Sequence, residues 1–558
     1  MQVTLSNFGG IIPRLSDHNL PAFAASIAHD VRLRNGRLEA WRELCPFGTV
    51  DAESMSFYVR GCCLIGWPTI VQYAEVAPDW GRFFLTGRTA DIETAVVNCD
   101  CTVDYYKLGV PAPVSPPGVS GTEQCGRDSD SRSYVYTYVN EWGEESAPSP
   151  PSNLLTIRDG DTVTITGIAL PPDGYNIVAA NIYRASTGFR QTNAKEQKPI
   201  TEYLYVATVE FPSSTFTDNV KIVGLGPALE TQKVRMPPAG MANVCAIEGV
   251  VRLAGTTRNQ VHLSENFQPW NWPVKYDLTL DSTIIHMGCL DQKLYVTTDT
   301  VPYVIDVSSC EDMKCIPVMD VGKPLPDIAC KYANAAIVTP HGYIYSSPLG
   351  LILIDPKAQW TILTKNWFGE EDWAMVHPET VRMAYWEGYL FIVTDAATFL
   401  LNINGDPFGD MRGSELCTLS DMPVTLATSS TGDLFLLLSN GDVFVWNKGT
   451  EWREFLWRSR ELTGGRSTVD MSPAIPENKA PLGSMWSPVS AKIRTQGTEF
   501  TLITPLQKEA YRRSVADERP FRLPRVGRHM WYKVQFRGIH PVEFFDMGTS
   551  HYTVNFGA

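Results

Sequence analysis

The chain has 558 residues, of which 44% are hydrophobic and only 19% are charged, below the average of about 25% for soluble proteins. Its 15 Trp, 22 Tyr, 23 Phe, 42 Gly and 39 Pro favour many short strands joined by tight turns, and they argue against disorder. The net charge of −14 argues against broad coating of nucleic acid or of an anionic membrane, although it is compatible with a tube through which DNA slides.

The N-terminal segment, residues 1–45, is predicted to contain one short helix. Apolar residues with a rough helical spacing occur within 17–39, and a proline suits the first turn: Leu20, Pro21, Ala24, Ile27, Ala28 and Val31. The start of the chain lacks a basic region followed by an apolar stretch, so no signal peptide is expected. The longest apolar runs have the length of strands, so no membrane span is expected either.

Residues 46–112 are predicted to contain the first blade of a β-propeller, whose repeat is described below. Residues 113–225 are predicted to be an inserted domain. The proline-rich stretch 111–117 is typical of a stiff linker. Short alternating strands follow it at 134–139, 162–165, 181–184 and 203–207. Their spacing resembles that of a fibronectin type III or immunoglobulin-like sandwich, which is the predicted fold of the insert.

A repeated hairpin dominates residues 226–470. Five apolar strands, each followed by a polar turn and a second strand, begin the repeats at 251–255, 293–297, 343–347, 389–393 and 433–437. Equivalent positions in successive repeats are separated by about 40 to 50 residues, which is the blade period of a β-propeller. The turn Asn440-Gly441 in the last repeat is the strongest hairpin signal among them.

A sixth hairpin strand lies upstream, at residues 82–87. The interval from Phe83 to Leu253 is too long for one blade, but without the insert it is close to the length of one blade with generous loops. We therefore predict an all-β chain. It comprises a β-propeller of about six blades, an inserted fibronectin III/Ig-like sandwich and, over residues 471–558, a separate C-terminal β region.

The strongest charge feature lies in that last region. Only three acidic residues accompany nine basic ones, giving this stretch +6 and the rest of the chain −20. Such a stretch favours docking on an acidic partner or a neighbouring subunit over contact with passing DNA, although an ordinary solvated face would look the same. The nine candidate residues are Lys508, Arg512, Arg513, Arg519, Arg522, Arg525, Arg528, Lys533 and Arg537.

No catalytic, cofactor or metal motif is found, so none of these sites is predicted. The chain has no HxH, HExxH or GxSxG pattern, and its cysteines lack the paired CxxC spacing of a zinc site. Two weaker patterns remain. Glu370, Glu371 and Asp372 between Trp367 and Trp373 could form a glycosidase-type carboxylate site, and Asp128 with Asp130 could bind calcium.

Three stretches carry a family resemblance. They are Phe8-Gly9-Gly10-Ile11-Ile12-Pro13-Arg14-Leu15-Ser16, then Leu253-Ala254-Gly255 through Leu263-Ser264-Glu265 to Trp270-Asn271-Trp272-Pro273, and Arg522-Leu523-Pro524-Arg525-Val526-Gly527-Arg528. Together they resemble the tail nozzle, or tail tubular protein B-like, family of short-tailed bacteriophages. Each stretch is short, but they cover both ends and the middle of the chain.

The resemblance implies a structural virion protein that is made in the cytoplasm of the host bacterium. It implies a homohexameric ring below the portal and the adaptor, or head-to-tail connector. The ring would conduct double-stranded DNA without sequence-specific contact and would dock tail fibres or tailspikes. The family resemblance assigns no catalytic residue to this chain. The alternative is a carbohydrate-binding or glycan-processing propeller protein, either an adhesion module that binds through the insert or a glycosidase.

Overall fold

The computed structural model describes residues 2–77, 80–123, 129–189, 199–247, 249–309, 312–318, 332, 335–404, 415–463 and 484–553. About 49% of the described residues are in strands and 4% are in helices, so the all-β prediction is confirmed. The chain forms two compact units. The first unit comprises residues 1–68, 298–302 and 317–558, and the second unit comprises residues 69–297 and 303–316.

The N-terminal part of the first unit contains only short strands. They are β1 (Gln2–Leu5), β2 (Ala25–His29), β3 (Val31–Arg34), β4 (Arg37–Ala40), β5 (Cys45–Thr49), β6 (Ser56–Arg60) and β7 (Cys63–Trp67).

The helix predicted within residues 17–39 is wrong. Residues 25–40 form β2, β3 and β4 instead, and Asn35 and Gly36 both have positive φ in the turn that joins β3 to β4. That turn geometry belongs to a two-residue hairpin. The helical spacing of apolar residues gave the wrong prediction because β2 pairs with strands from the C-terminal half of the chain. The local spacing of apolar residues carries no information about such distant partners.

The second unit begins with β8 (Gln72–Ala74), β9 (Arg82–Thr86), β10 (Glu93–Val97) and β11 (Val103–Lys107). Seven strands follow in the predicted insert: β12 (Gly118–Ser120), β13 (Ser129–Asn140), β14 (Leu155–Arg158), β15 (Val163–Thr166), β16 (Ile177–Phe189), β17 (Pro199–Glu210) and β18 (Phe216–Asp218). They form a three-stranded sheet, β12-β15-β18, and a four-stranded sheet, β14-β13-β16-β17. Both sheets contribute to one apolar core that includes Tyr134, Tyr136 and Ile165, so the insert is a β-sandwich.

The described strands from residue 242 to residue 317 are β19 (Ala242–Ile247), β20 (Arg252–Thr257), β21 (Gln260–Leu263), β22 (Leu278–Thr279), β23 (Ile284–Leu290), β24 (Lys293–Thr298), β25 (Tyr303–Asp306) and β26 (Lys314–Pro317). Single-turn 3-10 helices in this half are Ile222–Gly224, Thr231–Lys233 and Val274–Tyr276.

The first unit resumes with β27 (Ala336–Thr339), β28 (Gly342–Ser347), β29 (Gly350–Ile354), β30 (Trp360–Ile362), the helix α1 (Glu370–Met375) and the 3-10 turn Pro378–Thr380. It continues with β31 (Arg382–Trp386), β32 (Tyr389–Val393), β33 (Thr398–Asn402), β34 (Leu416–Leu419), β35 (Thr425–Thr428), β36 (Leu434–Leu437), β37 (Asp442–Val445), β38 (Phe455–Ser459) and β39 (Leu462–Thr463). The last strands are β40 (Ser484–Arg494), β41 (Thr498–Ile503), β42 (Tyr511–Val515), β43 (Phe521–Arg522), β44 (Trp531–Gly538) and β45 (Phe544–Thr553).

All six predicted hairpins are present, and each forms the middle of a set of four antiparallel strands, which are consecutive in the chain in five of the six sets. The hairpins are β9–β10, β20–β21, β24–β25, β28–β29, β32–β33 and β36–β37. These six sets of strands have the pairing of propeller blades.

The blades stack on one another within each unit. In the second unit the first strands β8, β19 and β23 lie side by side, and in the first unit β27, β31 and β35 do so. Apolar side chains fill the spaces between successive blades, for example Phe84 against Leu253, and Ile344 against Leu390. Each blade therefore buries an apolar face of the neighbouring blade, which that neighbour could not bury alone.

The N-terminus completes sheets that are formed by the C-terminal half. Strand β5 is the fourth strand of the blade β35-β36-β37, and β1 pairs with β45. Strand β2 joins β34 to β38, which continues through β44 and β41 to β42. The C-terminal strands therefore extend the sheet of a blade, and the prediction of a separate C-terminal region is wrong in this respect.

No helix in the described ranges has the length and apolar content needed to cross a bilayer.

Candidate assembly surface

The nine basic residues predicted as a partner surface all lie in the first unit. Arg512 and Arg513 are on β42, Arg522 is on β43, and Lys533 and Arg537 are on β44, whereas Lys508, Arg519, Arg525 and Arg528 lie in the connecting segments. Eight of them are exposed and Lys533 is half-buried. Strands β44, β41 and β42 are neighbours in one sheet, but β43 pairs with β40 in another. The structure therefore groups these residues on two adjoining sheets.

Much of the positive charge is paired within the chain. Arg512 contacts Glu509 at 2.6 Å and Glu499 at 3.5 Å, Arg519 contacts Asp517 at 3.4 Å, and Arg537 contacts Glu454 at 2.7 Å. Lys533 pairs with Asp17. Hydrogen bonding and charge from Glu454 raise the pKa of Arg537. Asp17, Glu454 and Glu499 lie outside the basic stretch, so three of its nine basic residues have acidic partners from elsewhere in the chain.

One part of the basic surface lies at the edge of the sheet. Strand β42 pairs with β41 and ends the path of its sheet, so its other side has no partner strand among the described residues. Arg513 on this strand lies over the ring of Phe521 at 4.4 Å, which fixes the guanidinium without neutralising it. An edge strand that carries exposed arginines resists random strand addition and selects a partner of opposite charge.

The acidic cluster considered for a glycosidase has structural roles. Asp372 accepts a hydrogen bond from the N–H of Gly369 at the start of α1. Glu370 and Glu371 lie in the first turn, where the negative charge of a carboxylate interacts favourably with the helix dipole. Trp373 is 1% exposed and donates its indole N–H to the carbonyl of Ser347, and Trp367 is also buried. Neither tryptophan side chain can therefore serve as a platform for a sugar.

The calcium alternative has equally little local support. Asp128 lies outside the described residues. Asp130 is buried and pairs with the guanidinium of Arg132 at 2.9 Å, which also contacts Asp159 at 3.2 Å. The carboxylate of Asp130 already has a cationic partner, and this arrangement explains why an aspartate is tolerated in the sandwich.

The sequence analysis missed a cavity of about 830 Å³ in the first unit. The N-terminal segment, the β3–β4 hairpin and the ends of β32, β33 and β34 form its walls. Its lining residues are Asn7, Gly9, Phe23, Arg32, Arg34, Asn35, Gly36, Glu387, Tyr389, Asn402, Asn404 and Glu415. They come from two distant parts of the chain, 7–36 and 387–415, so the one local signal was the Asn35-Gly36 turn.

Comparison with known proteins gives no family. No protein-family model matches the sequence, and no curated protein matches it. Among solved structures, the WD40 β-propeller domain of Doa1 matches with a TM-score of 0.30 and 8% identity over 74% of this chain and 98% of that domain. A chain of the S. cerevisiae assembly of Dbp5 with Nup159, Gle1, IP6 and ADP matches with a TM-score of 0.23 and 11% identity over 42% of this chain and 56% of its own length. At these TM-scores neither likeness carries an argument, and the evidence for blades is the strand pairing.

Proposed function

We propose that this protein is a structural subunit of a phage tail nozzle, a homohexameric ring below the portal and adaptor that conducts double-stranded DNA and docks fibres. The observation that carries the proposal is the exposed basic edge at β42 and the following loop, on a chain whose remainder has a formal charge of −20. A cationic edge and an acidic body on one subunit favour a head-to-tail contact between copies, and such contacts form a ring when the rotation between copies closes.

The residues that suggested catalysis support a structural function. Asp372 caps the start of α1, and Trp367 and Trp373 are buried in the core. The acidic charge of the chain also suits a DNA channel, since a lumen poor in Lys and Arg does not retain the passing phosphates.

The β-sandwich over residues 118–218 is proposed to be of the fibronectin III type. Its 3 + 4 division of strands and its tyrosine-rich core support that likeness. In a ring, this sandwich would lie on the outer surface and contact the tail fibres.

The test is the assembly state of the purified protein, measured by mass photometry and negative-stain electron microscopy. We expect rings of six copies, each of 62.1 kDa. The double variant Arg512→Glu/Arg513→Glu should shift the population towards monomers, and raised salt should weaken the wild-type rings.

A matched control changes the same charge elsewhere. Lys233→Glu/Lys357→Glu replaces two exposed lysines outside the basic stretch and should leave the rings intact. A wild-type protein that stays monomeric and never enters tail particles would refute the nozzle. Equal effects of the two double variants would refute β42 as the contact edge.

A further inference from the structure

We propose that the cavity between the β3–β4 hairpin and the β32–β33 blade edge is a binding site for a neutral sugar unit. This inference is independent of the ring, because all the lining residues belong to the first unit of one chain. The cavity volume, about 830 Å³, is in the range of small-molecule sites.

Backbone hydrogen bonds hold the walls of the cavity. The N–H of Phe8 donates to the carbonyl of Gly36 at 3.0 Å, which ties the N-terminal segment to the β3–β4 turn. On the opposite wall, Ile403 donates to Gly388 at 2.9 Å and Asn402 donates to the carbonyl of Glu415 at 2.9 Å. Because these bonds link the main chain, the site exists before a ligand arrives, and binding costs less ordering.

The lining combines every type of hydrogen-bonding group. Arg32 and Arg34 only donate, Glu387 and Glu415 only accept when they are ionised, and the amides of Asn7, Asn35, Asn402 and Asn404 do both. Each hydroxyl of a sugar donates and accepts, so it finds partners in such a lining. A phosphate would be attracted by the two guanidinium groups but would also meet the two carboxylates, and a metal ion would meet the reverse, so the lining favours a neutral ligand over either.

One further feature favours a sugar over a smaller polar molecule. The ring of Phe23 is 46% exposed at the cavity and offers an apolar surface for the C–H face of a sugar ring.

The test is saturation-transfer difference NMR on the full chain with glucose, galactose, N-acetylglucosamine, rhamnose and lactose as probes. Arg34→Ala and Asn404→Ala remove exposed lining groups, and Arg37→Ala is the matched control on the same hairpin, where Arg37 pairs with Glu543 at 2.9 Å outside the cavity. Loss of a hydrogen bond from a cavity side chain should weaken binding about tenfold. Thermal melts check that the variants fold.

We expect transfer from at least one sugar, weakened in both cavity variants and unchanged in Arg37→Ala. Absence of transfer from all five sugars would overturn the proposal. Binding that is equal in all three variants would also overturn it. Broadening of the phosphorus signal of inorganic phosphate by the wild type but not by Arg34→Ala would replace the sugar with an anion and overturn the assignment of ligand class.

Discussion

At the scale of residues, the first unit buries a small charge network around Arg453. Its guanidinium contacts Asp421, lies 3.4 Å from both Asp30 and Glu43, and covers the ring of Trp446 at 5.3 Å. Arg453 is 5% exposed and Asp30 is likewise 5% exposed. Burial raises the pKa of Asp421, which the guanidinium opposes. The network connects the turn after β2 to the segment before β38.

Arg453→Met should destabilise the first unit by about 3–5 kcal/mol, because it leaves buried carboxylates without a cation. The loss should shrink at acidic pH, where Asp421, whose pKa burial raises, becomes protonated. Urea denaturation at pH 5 and pH 8 measures both effects. Arg37→Ala, which breaks an exposed pair with Glu543, should cost no more than about 1 kcal/mol; an equal loss in the two variants would contradict a buried network.

Glu415 should make the stability of the first unit depend on pH. Burial raises the pKa of Glu415 to about 7, opposed by its hydrogen bond to Asn402, whereas the ordinary value is 4.5. The folded state therefore holds the proton more tightly, and stability is full below about pH 4.5 and is lost as the pH rises through 7. The other charged or titratable groups that line the same cavity are Arg32, Arg34, Glu387 and Tyr389.

Glu415→Gln removes this titration. We expect the variant to match the wild type at pH 4.5 and to exceed its unfolding free energy by up to about 3 kcal/mol at pH 8.5. Urea denaturation across this range is the measurement. A constant difference between the two proteins at all pH values would show that Glu415 titrates normally.

At the scale of elements, tight turns determine where a blade accepts its last strand. The β36–β37 turn places Gly441 at φ +87°, and a Cβ there would lie 2.4 Å from the carbonyl oxygen of Val50. Val50 directly follows β5 and donates its N–H to the carbonyl of Gly441 at 2.8 Å. The glycine therefore allows the N-terminal strand to approach and complete the blade.

Gly441→Ala should lower the stability of the first unit by more than about 2 kcal/mol, since backbone strain and a backbone clash add together. Gly432→Ala is the matched control in the turn before β36, at φ +84° with no atom within 4 Å of the added Cβ, and should cost only about 1 kcal/mol. Thermal melting of the two variants compares them. Equal melting temperatures would show that the approach of Val50 is unimportant.

At the scale of the whole molecule, stability is divided between the two units, and the N-terminus belongs to the sheets of the C-terminal half. Phe545 on β45 is fully buried with Phe500 and Phe536, and β45 pairs with both β1 and β40. Strands β1 and β2 therefore share one apolar core with strands from the other end of the chain, whereas Phe47 of β5 packs with Phe435 in a second cluster.

Phe545→Ala should cost about 3–5 kcal/mol and should reduce hydrogen-exchange protection in β1 and β2 together. The sandwich strands β13 and β16, in the other unit, should keep their protection. The reciprocal variant Ile165→Ala, in the core of the sandwich, should reduce the hydrogen-exchange protection of β13 and β16 and leave that of β1 and β2 unchanged. Loss of protection throughout the chain in both variants would show that the two units unfold as one.

Local physics in the sequence determined the repeated part of this protein. Alternating apolar residues and turns such as Asn440-Gly441 specify hairpins through neighbours in the chain, so the six hairpins and the strands of the insert could be predicted. The tertiary structure alone decided what depends on distant pairing. Strand β2 forms where a helix was predicted, and β5 completes a blade whose other strands lie near the far end of the chain. Three of the nine basic residues in the basic stretch pair with Asp17, Glu454 and Glu499. The cavity around Arg32 and Glu415 also exists only because such pairing brings its walls together. Periodicity reports which face of a strand is buried, but it carries no information about which distant strand or charge covers that face.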